Sequence, residues 1–410
     1  MKKHYLVVAL VLVLLWGCSN SGSSQNRFVR VEGKEFIAPD GKPILLRGMN
    51  LGNWLVPEGY MFKFRHATSP RLINTVISEL VGPAEARNFW AQYYDNYIRR
   101  EDIQFIKQCG MNSIRVPFNY RLFTPEDHPG VWLGPGFEML DRVIGWCKEA
   151  GIWVILDMHC APGGQTGDNI DDSWGWPSLF ESEESQKRVA EVWQKIAARY
   201  ADEPTVLGYD LLNEPIPHWD EVQYLNDRLE PLYKQITAAI RKVDKNHIII
   251  LGGRRWDTSF DIFGPPFDDK LAYTFHKYWS DVTDSSIQEY LDFRDKYNVP
   301  LWMSESGENN YEWIGSFTDL LEKYNIGWCF WPYKKMEAPS CIVTFAKPEY
   351  WDEIKEYADN AGTGFNERRA KRPDPQHVQA ALQGFLQYCQ FENCTVNDGY
   401  LQALRLQSGK

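Results

Sequence analysis

Val206-Leu-Gly-Tyr-Asp-Leu-Leu-Asn-Glu-Pro215 and Val299-Pro-Leu-Trp-Met-Ser-Glu-Ser-Gly307 lie about ninety residues apart, and each ends a strand-like apolar run on a glutamate. A carboxylate at that point is poor packing, because the strand before it reads as buried on both faces. The position is useful where parallel strands aim their C-terminal ends into one cleft. Runs of the same kind recur at 44–50, 112–117, 152–159, 247–252, 271–276 and 327–331; with 205–214 and 300–305 they make eight predicted strands.

Amphipathic helical patterns fall between them. Phe137, Leu140, Val143, Ile144 and Cys147 recur at three-to-four spacing, and Gly151 follows as a stop signal. Val189, Val192, Trp193, Ile196 and Tyr200 repeat the pattern after the third strand. Strand and helix alternating eight times predict an α/β fold, a closed (β/α)8 TIM barrel in a single catalytic domain. The first excursion is the longest, with helix-like sequence over 84–108 and an elaborated loop over the cleft at 53–75. Residues 29–41 read as a hairpin beneath the barrel, and Val378, Leu382, Phe385 and Leu386 as a final helix closing it.

The first residues read as an address rather than as fold. Lys2 and Lys3 precede the apolar run 5–16, which ends at Leu15-Trp-Gly-Cys18. A basic start, a short apolar run and a small residue at the cut describe an export signal. The cysteine directly after that cut resembles a bacterial lipoprotein box, which implies a lipid on Cys18. The expected division is a signal peptide at 1–17, a serine-rich tether at 18–26 and the barrel at 27–410. That implies a membrane partner through the anchor and a place in the bacterial cell envelope, at the outer membrane.

The 410 residues carry a formal net charge of −11, which argues against nucleic acid as a partner. Seventeen tryptophans fit an aromatic core or stacking platforms for sugar rings, and composition does not choose between them. Cys109, Cys147 and Cys160 read as small buried hydrophobes, whereas Cys389 and Cys394 are spaced to close a small loop. No zinc spacing is present and no cofactor is implied.

The chemistry gathers at the predicted strand ends: Arg115, His159, Asn213 with Glu214, His276 with Tyr278, Glu305, and Trp331. Singly, each has a dull reading as a structural ion pair, a core histidine or a packed ring. Eight together at one barrel mouth suit the cleavage of a glycosidic bond. Its oxygen is a poor leaving group, so one carboxylic acid must keep a proton near neutral pH while another carboxylate attacks the anomeric carbon. Arg115 and Tyr278 can both donate to Glu305.

Seven motifs, in order, are Leu46-Arg-Gly-Met-Asn-Leu-Gly52, Ile114-Arg-Val-Pro117, Leu156-Asp-Met-His159, Leu212-Asn-Glu-Pro215, His276-Lys-Tyr278, Ser304-Glu305 and Trp331. They resemble the clan A retaining glycoside hydrolases of family 5. The resemblance implies Glu214 as acid/base, Glu305 as nucleophile, and Arg115, His159, Asn213, His276, Tyr278, Trp331 and Asn50 as the surrounding subsite. The chain departs from the family pattern in the serines flanking Glu305. His159-Cys-Ala-Pro-Gly-Gly-Gln-Thr-Gly-Asp-Asn169 and Arg47-Gly-Met-Asn-Leu-Gly-Asn-Trp54 resemble the exo-β-1,3-glucanases, which implies a β-linked oligo- or polysaccharide substrate. Trp54, Trp174 and Trp176 are candidate sugar platforms, although Trp54 equally suits the barrel rim. Two rivals were weighed. A metal hydrolase would use Asp157, His159 and His276, but the His-x-His pair expected on the first strand is absent. A glycan-binding lipoprotein without catalysis would not need the carboxylate pair. Endo action on a β-1,4-glucan or a mannan is the alternative within the family.

Overall fold

The computed structural model describes residues 27–360 and 364–407; the expected signal, tether and Cys18 lie outside the described residues. Eight parallel strands close a barrel: β1 (Arg47–Asn50), β2 (Ser113–Asn119), β3 (Trp153–Cys160), β4 (Val206–Asp210), β5 (Ile248–Gly252), β6 (Leu271–His276), β7 (Leu301–Glu305) and β8 (Gly327–Phe330). All eight lie within the runs predicted, or overlap them by all but one or two residues. The fourth is shorter than expected: it ends at Asp210, so Asn213 and Glu214 sit on the following loop.

Strand alternation explains why buried runs carry polar residues. Leu46, Ile155, Leu207, Ile248, Ile250, Ala272, Trp302 and Cys329 fill the lower barrel interior, where Val29 and Phe36 cover it. Those two belong to the predicted hairpin, Arg30–Glu32 against Glu35–Ile37, extended by Pro43–Ile44 as a third strand. The residues one alternation higher are Asn50, Arg115, Asp157, Asp210 and Thr274, all fully buried. The barrel is therefore oily below and ionic above. Two β-bulges lie at the upper rim, one that leaves His159 outside the β2–β3 register and one that leaves Ser304 outside the β6–β7 register. Such bulges re-aim side chains beside active sites.

Helices Gly136–Ala150, Glu183–Tyr200, Leu229–Arg241, Gln288–Tyr297 and Tyr311–Lys323 sheathe the barrel. The alternation fails after β5, where only the short turn Arg254–Asp257 is helical. Gly264-Pro265-Pro266 cannot carry a helix there, and Phe260 packs edge-on to Phe293 and Phe263 edge-on to Tyr273 to cover the sheet instead. The long first excursion holds Pro70–Val81, Pro83–Tyr97 and Arg100–Gln108. Pro375–Tyr388, expected to close the barrel, docks on this excursion, with Phe385 stacked on Phe62 at 5.1 Å. Aromatic pairing with Phe62, Tyr93 and Trp351 decides its place.

Lys334 fastens the excursion to the barrel. Its ammonium, fully buried, lies 2.7 Å from Asp102 and donates to the carbonyls of Tyr97 and Cys389. Cys389 and Cys394 are free thiols, so the small loop they bound is not closed by a disulfide, while Cys109, Cys147 and Cys160 are buried as expected. Among the described residues no helix is long and apolar enough to cross a membrane. Lys334→Ala strands a buried Asp102 carboxylate and is expected to cost about 3–5 kcal/mol. Urea unfolding of the purified variant checks this, and a loss below about 1 kcal/mol, as for an exposed pair, would contradict it.

Candidate active site

The site is built around Arg115, whose guanidinium is wholly buried at the top of β2. Its Nε donates to Asp210 at 2.8 Å, Nη1 to Asn50 at 3.1 Å and to Glu305 at 2.5 Å, and Nη2 to Asn213 at 2.9 Å. Asp157 stands 3.1 Å from Nη2. Asn50 in turn donates to the carbonyls of Ser304 and Cys329, which locks β1 against β7 and β8. Asn50 and Arg115 were read from the sequence as substrate contacts; both are sealed beneath the cavity floor, and they position the residues that face it.

Glu305 receives the Arg115 bond on one oxygen and the Tyr278 hydroxyl, at 3.1 Å, on the other. Its carboxylate opens into a cavity of about 610 Å³ that His159, Glu214, His276, Tyr278 and Trp331 also line. His159 donates through Nδ1 to Asp157 at 2.7 Å and lies flat against Trp331, 5.4 Å between ring centres. Asn213 is covered, held by Arg115 and 3.4 Å from His159 Nε2. Trp331 approaches so closely that a Cβ on Gly52 would lie 2.7 Å from its ring, so glycine is required there.

Glu214 sits in a strained turn, with φ of 48° at Glu214 and 51° at Ile216. Such strain persists only where neighbours over-determine it. Here the Glu214 N–H donates to Asp257 at 2.9 Å, Asn213 N–H to the Met158 carbonyl, and Ile216 N–H to Gln165. Gln165 also donates to the carbonyls of His159 and Asn213, tying the loops after β3 and β4 together. The Glu214 carboxyl is 2.8 Å from His276 Nδ1, and Glu214, His276 and Glu305 offer atoms all within 4.8 Å of one another.

Burial dominates the electrostatics. It pushes Glu214 up to about 7, and the positive charge of Arg115 and proximity of His159 only partly offset it. It pulls His159 down to about 4 and His276 to about 3, so both rings are neutral at ordinary pH. Asp157 and Asp210 also rise to about 7 by burial, against the pull of Arg115. One buried cation among so many carboxyls makes a proton on Glu214 cheap to keep.

The three candidate platforms lie elsewhere. Trp54 is completely buried and donates to the Tyr94 carbonyl, so it packs the rim. Trp174 is 80% exposed beneath Arg71, and Trp176 donates to Glu181; neither lines the cavity. The rings that do line it besides Tyr278 and Trp331 are Tyr60, Trp256 and Trp279, which the sequence reading missed. Glu58 and Glu308 were missed as well. Glu58 lines the cavity but is only 4% exposed, and its Oε1 is buried without a hydrogen-bond partner. Its signal was present, since Glu58 follows the Arg47–Trp54 motif closely, but a lone carboxylate in a loop carries no periodicity.

The family model described as Cellulase (glycosyl hydrolase family 5) matches residues 77–337, well over half of the chain. The chain belongs to that family and is a glycoside hydrolase. Among curated relatives, a β-xylosidase of Phanerodontia chrysosporium is 29% identical over 75% of this chain and 71% of its own length. Endoglucanase C of Acetivibrio thermocellus is 26% identical over 61% and 88%, and a probable glucan 1,3-β-glucosidase A of Aspergillus clavatus 28% identical over 68% of each. An endogalactoceramidase structure shares the fold over 93% of this chain and 86% of that one, with a TM-score of 0.61 at 17% identity.

The Glu214 carboxyl, pushed up to about 7, keeps its proton below that value and loses it above. We therefore expect kcat/KM to fall as pH rises through about 7, tenfold per unit on the basic limb. A pH–rate profile checks it, and Glu214→Gln should abolish that limb rather than move it.

Proposed function

We propose that the chain is a retaining β-glycosidase that trims a β-glucan from its end by double displacement. The observation that carries the retaining reading is the Glu214–Glu305 approach within 4.8 Å. It fits the carboxyl spacing of about 5–5.5 Å for retention and leaves no room for the water of an inverting enzyme, which needs about 6.5–9.5 Å. In the first step a Glu305 oxygen bonds to the anomeric carbon as the glycosidic C–O bond breaks, and the Glu214 proton passes to the departing oxygen. In the second, Glu214 takes a proton from water, the water oxygen bonds to that carbon, and the Glu305 ester bond breaks.

The glucan substrate is supported by the printed activities of the endoglucanase and glucosidase relatives. Exo action is supported by the wall beyond Glu305. Tyr60 accepts from Trp331 Nε1 at 2.8 Å, Lys335 binds Glu308 at 2.8 Å, and Glu58 lines the same cavity. Trp256 and Trp279 line the cavity as well and offer ring faces to a sugar, with Trp279 tied to the Glu308 carbonyl at 3.0 Å. The lipoprotein-like start supports anchoring through Cys18 in the bacterial outer membrane, with residues 18–26 as the tether.

The test is a time course on β-1,3-, β-1,4- and mixed-linkage glucans, with mannan and a xylo-oligosaccharide as comparators. A single small sugar released from the outset, with the β-anomer formed first by proton NMR, is the expected result. A ladder of oligomers would replace the exo reading with an endo one, and an α-anomer would overturn retention. Glu305→Ala should lower kcat by about 10⁴-fold or more, as losing a covalent nucleophile does. Glu58→Gln should raise KM for the glucan several-fold with little change in circular dichroism.

A further inference from the structure

We infer that Ser304 and Thr274 form a hydroxyl relay that fixes the tautomer of His276 and thereby aims the proton of Glu214. The inference rests on Glu214 being the acid/base and adds two positioning residues to it.

The hydrogen-bond directions follow from donor counting. The Ser304 N–H donates to Thr274 Oγ1 at 3.1 Å, and Thr274 Oγ1–H donates to Ser304 Oγ at 2.6 Å. Ser304 Oγ has then received a proton and has one to give. His276 Nε2 lies 2.8 Å away. The ring is neutral, so if Nε2 accepts, the proton must sit on Nδ1. Nδ1–H therefore points at Glu214 Oε1, 2.8 Å away. With Oε1 occupied as an acceptor, a proton on Glu214 is confined to Oε2. The same Nδ1–H stabilises the carboxylate left behind once that proton has gone.

The opposite tautomer has a ready partner. Asp257 Oδ2 stands 3.5 Å from His276 Nε2, and Glu305 Oε2 is 3.8 Å from Nδ1. Without the serine hydroxyl, Nε2–H would turn to Asp257. Nδ1 would then become an acceptor, and Glu214 would give its proton to His276 instead of to the departing oxygen. All four atoms of the relay are buried, so no water substitutes for a missing hydroxyl. The bulge that leaves Ser304 outside the β6–β7 register is what turns its hydroxyl to the ring. The serine before the nucleophile, a departure from the family pattern, thus has a physical purpose.

The experiment compares Ser304→Ala and Thr274→Val with wild type on two aryl β-glycosides, 2,4-dinitrophenyl, which leaves without a proton, and phenyl, which needs one. For Ser304→Ala, kcat/KM on the phenyl glycoside should fall about 10–100-fold, within the range of a general-acid contribution, while the dinitrophenyl value stays within about threefold. Thr274→Val should move the same way but less, because Ser304 keeps a proton to donate. Ser304→Thr should restore the phenyl activity. Equal losses on both substrates would mark a merely structural role and overturn the relay. Glu214→Ala runs alongside: if it too loses both substrates equally, the acid assignment fails rather than the relay. Nitrogen-15 spectra of histidine-labelled protein, with His276 assigned from His276→Gln, read the tautomer independently of activity. Nδ1–H in wild type and its loss in Ser304→Ala are expected, and Nε2–H in wild type would refute the inference.

Discussion

One guanidinium organises the upper half of the barrel. Arg115 contacts Asp157, Asp210, Asn50, Asn213 and Glu305 from a position with no solvent exposure, so strands β1, β2, β3 and β7 and the loop after β4 are all referred to one planar cation. Burying a charge is costly, by several kcal/mol even after relaxation, and it is tolerable only when every donor is satisfied. Here all three nitrogens are engaged, and the fork geometry of arginine is what lets one side chain span so many partners. Glu305 is a member of this network rather than an addition to it. Its position is set by the same bonds that hold the barrel rim together.

That arrangement also separates the two glutamates chemically. Glu305 takes the bond from the cation, whereas Glu214 looks at a neutral imidazole and accepts nothing from Arg115. The β-bulges at His159 and Ser304 and the strained turn at Glu214 mark where regular strand geometry yields to the demands of the site.

Much of this was legible in the amino-acid order because the barrel imposes a strict period. A strand buried on both faces reads as an apolar run, and its last inward position faces the mouth, so Arg115, His159, His276 and Glu305 could be read as convergent. Glu214 was legible through its motif even though β4 stops at Asp210, four residues earlier. What failed to show was set by packing between distant segments. Trp54 has the composition of a platform but was claimed by the first excursion, and Pro375–Tyr388 has the period of a barrel helix but was captured by Phe62 and Trp351. Glu58, Tyr60, Trp256 and Trp279 sit on loops, where no periodicity says which way a side chain turns.

The loops carry the remaining specificity because the barrel cannot. Most inward positions at the upper rim are committed to Arg115 or to the two histidines, so few strand side chains, His159, His276 and Glu305 among them, face the cavity. Discrimination must come from side chains hung over the cavity from outside. These are Glu58, Glu308 and Tyr60 together with Trp256 and Trp279, and Trp279 donates to the Glu308 carbonyl at 3.0 Å, so carboxylates and aromatic faces adjoin in the cavity. Burial and the charges of Glu305, Glu214 and Glu308 push Glu58 well above the usual carboxylate range, which favours the form that adds no further negative charge beside Glu305.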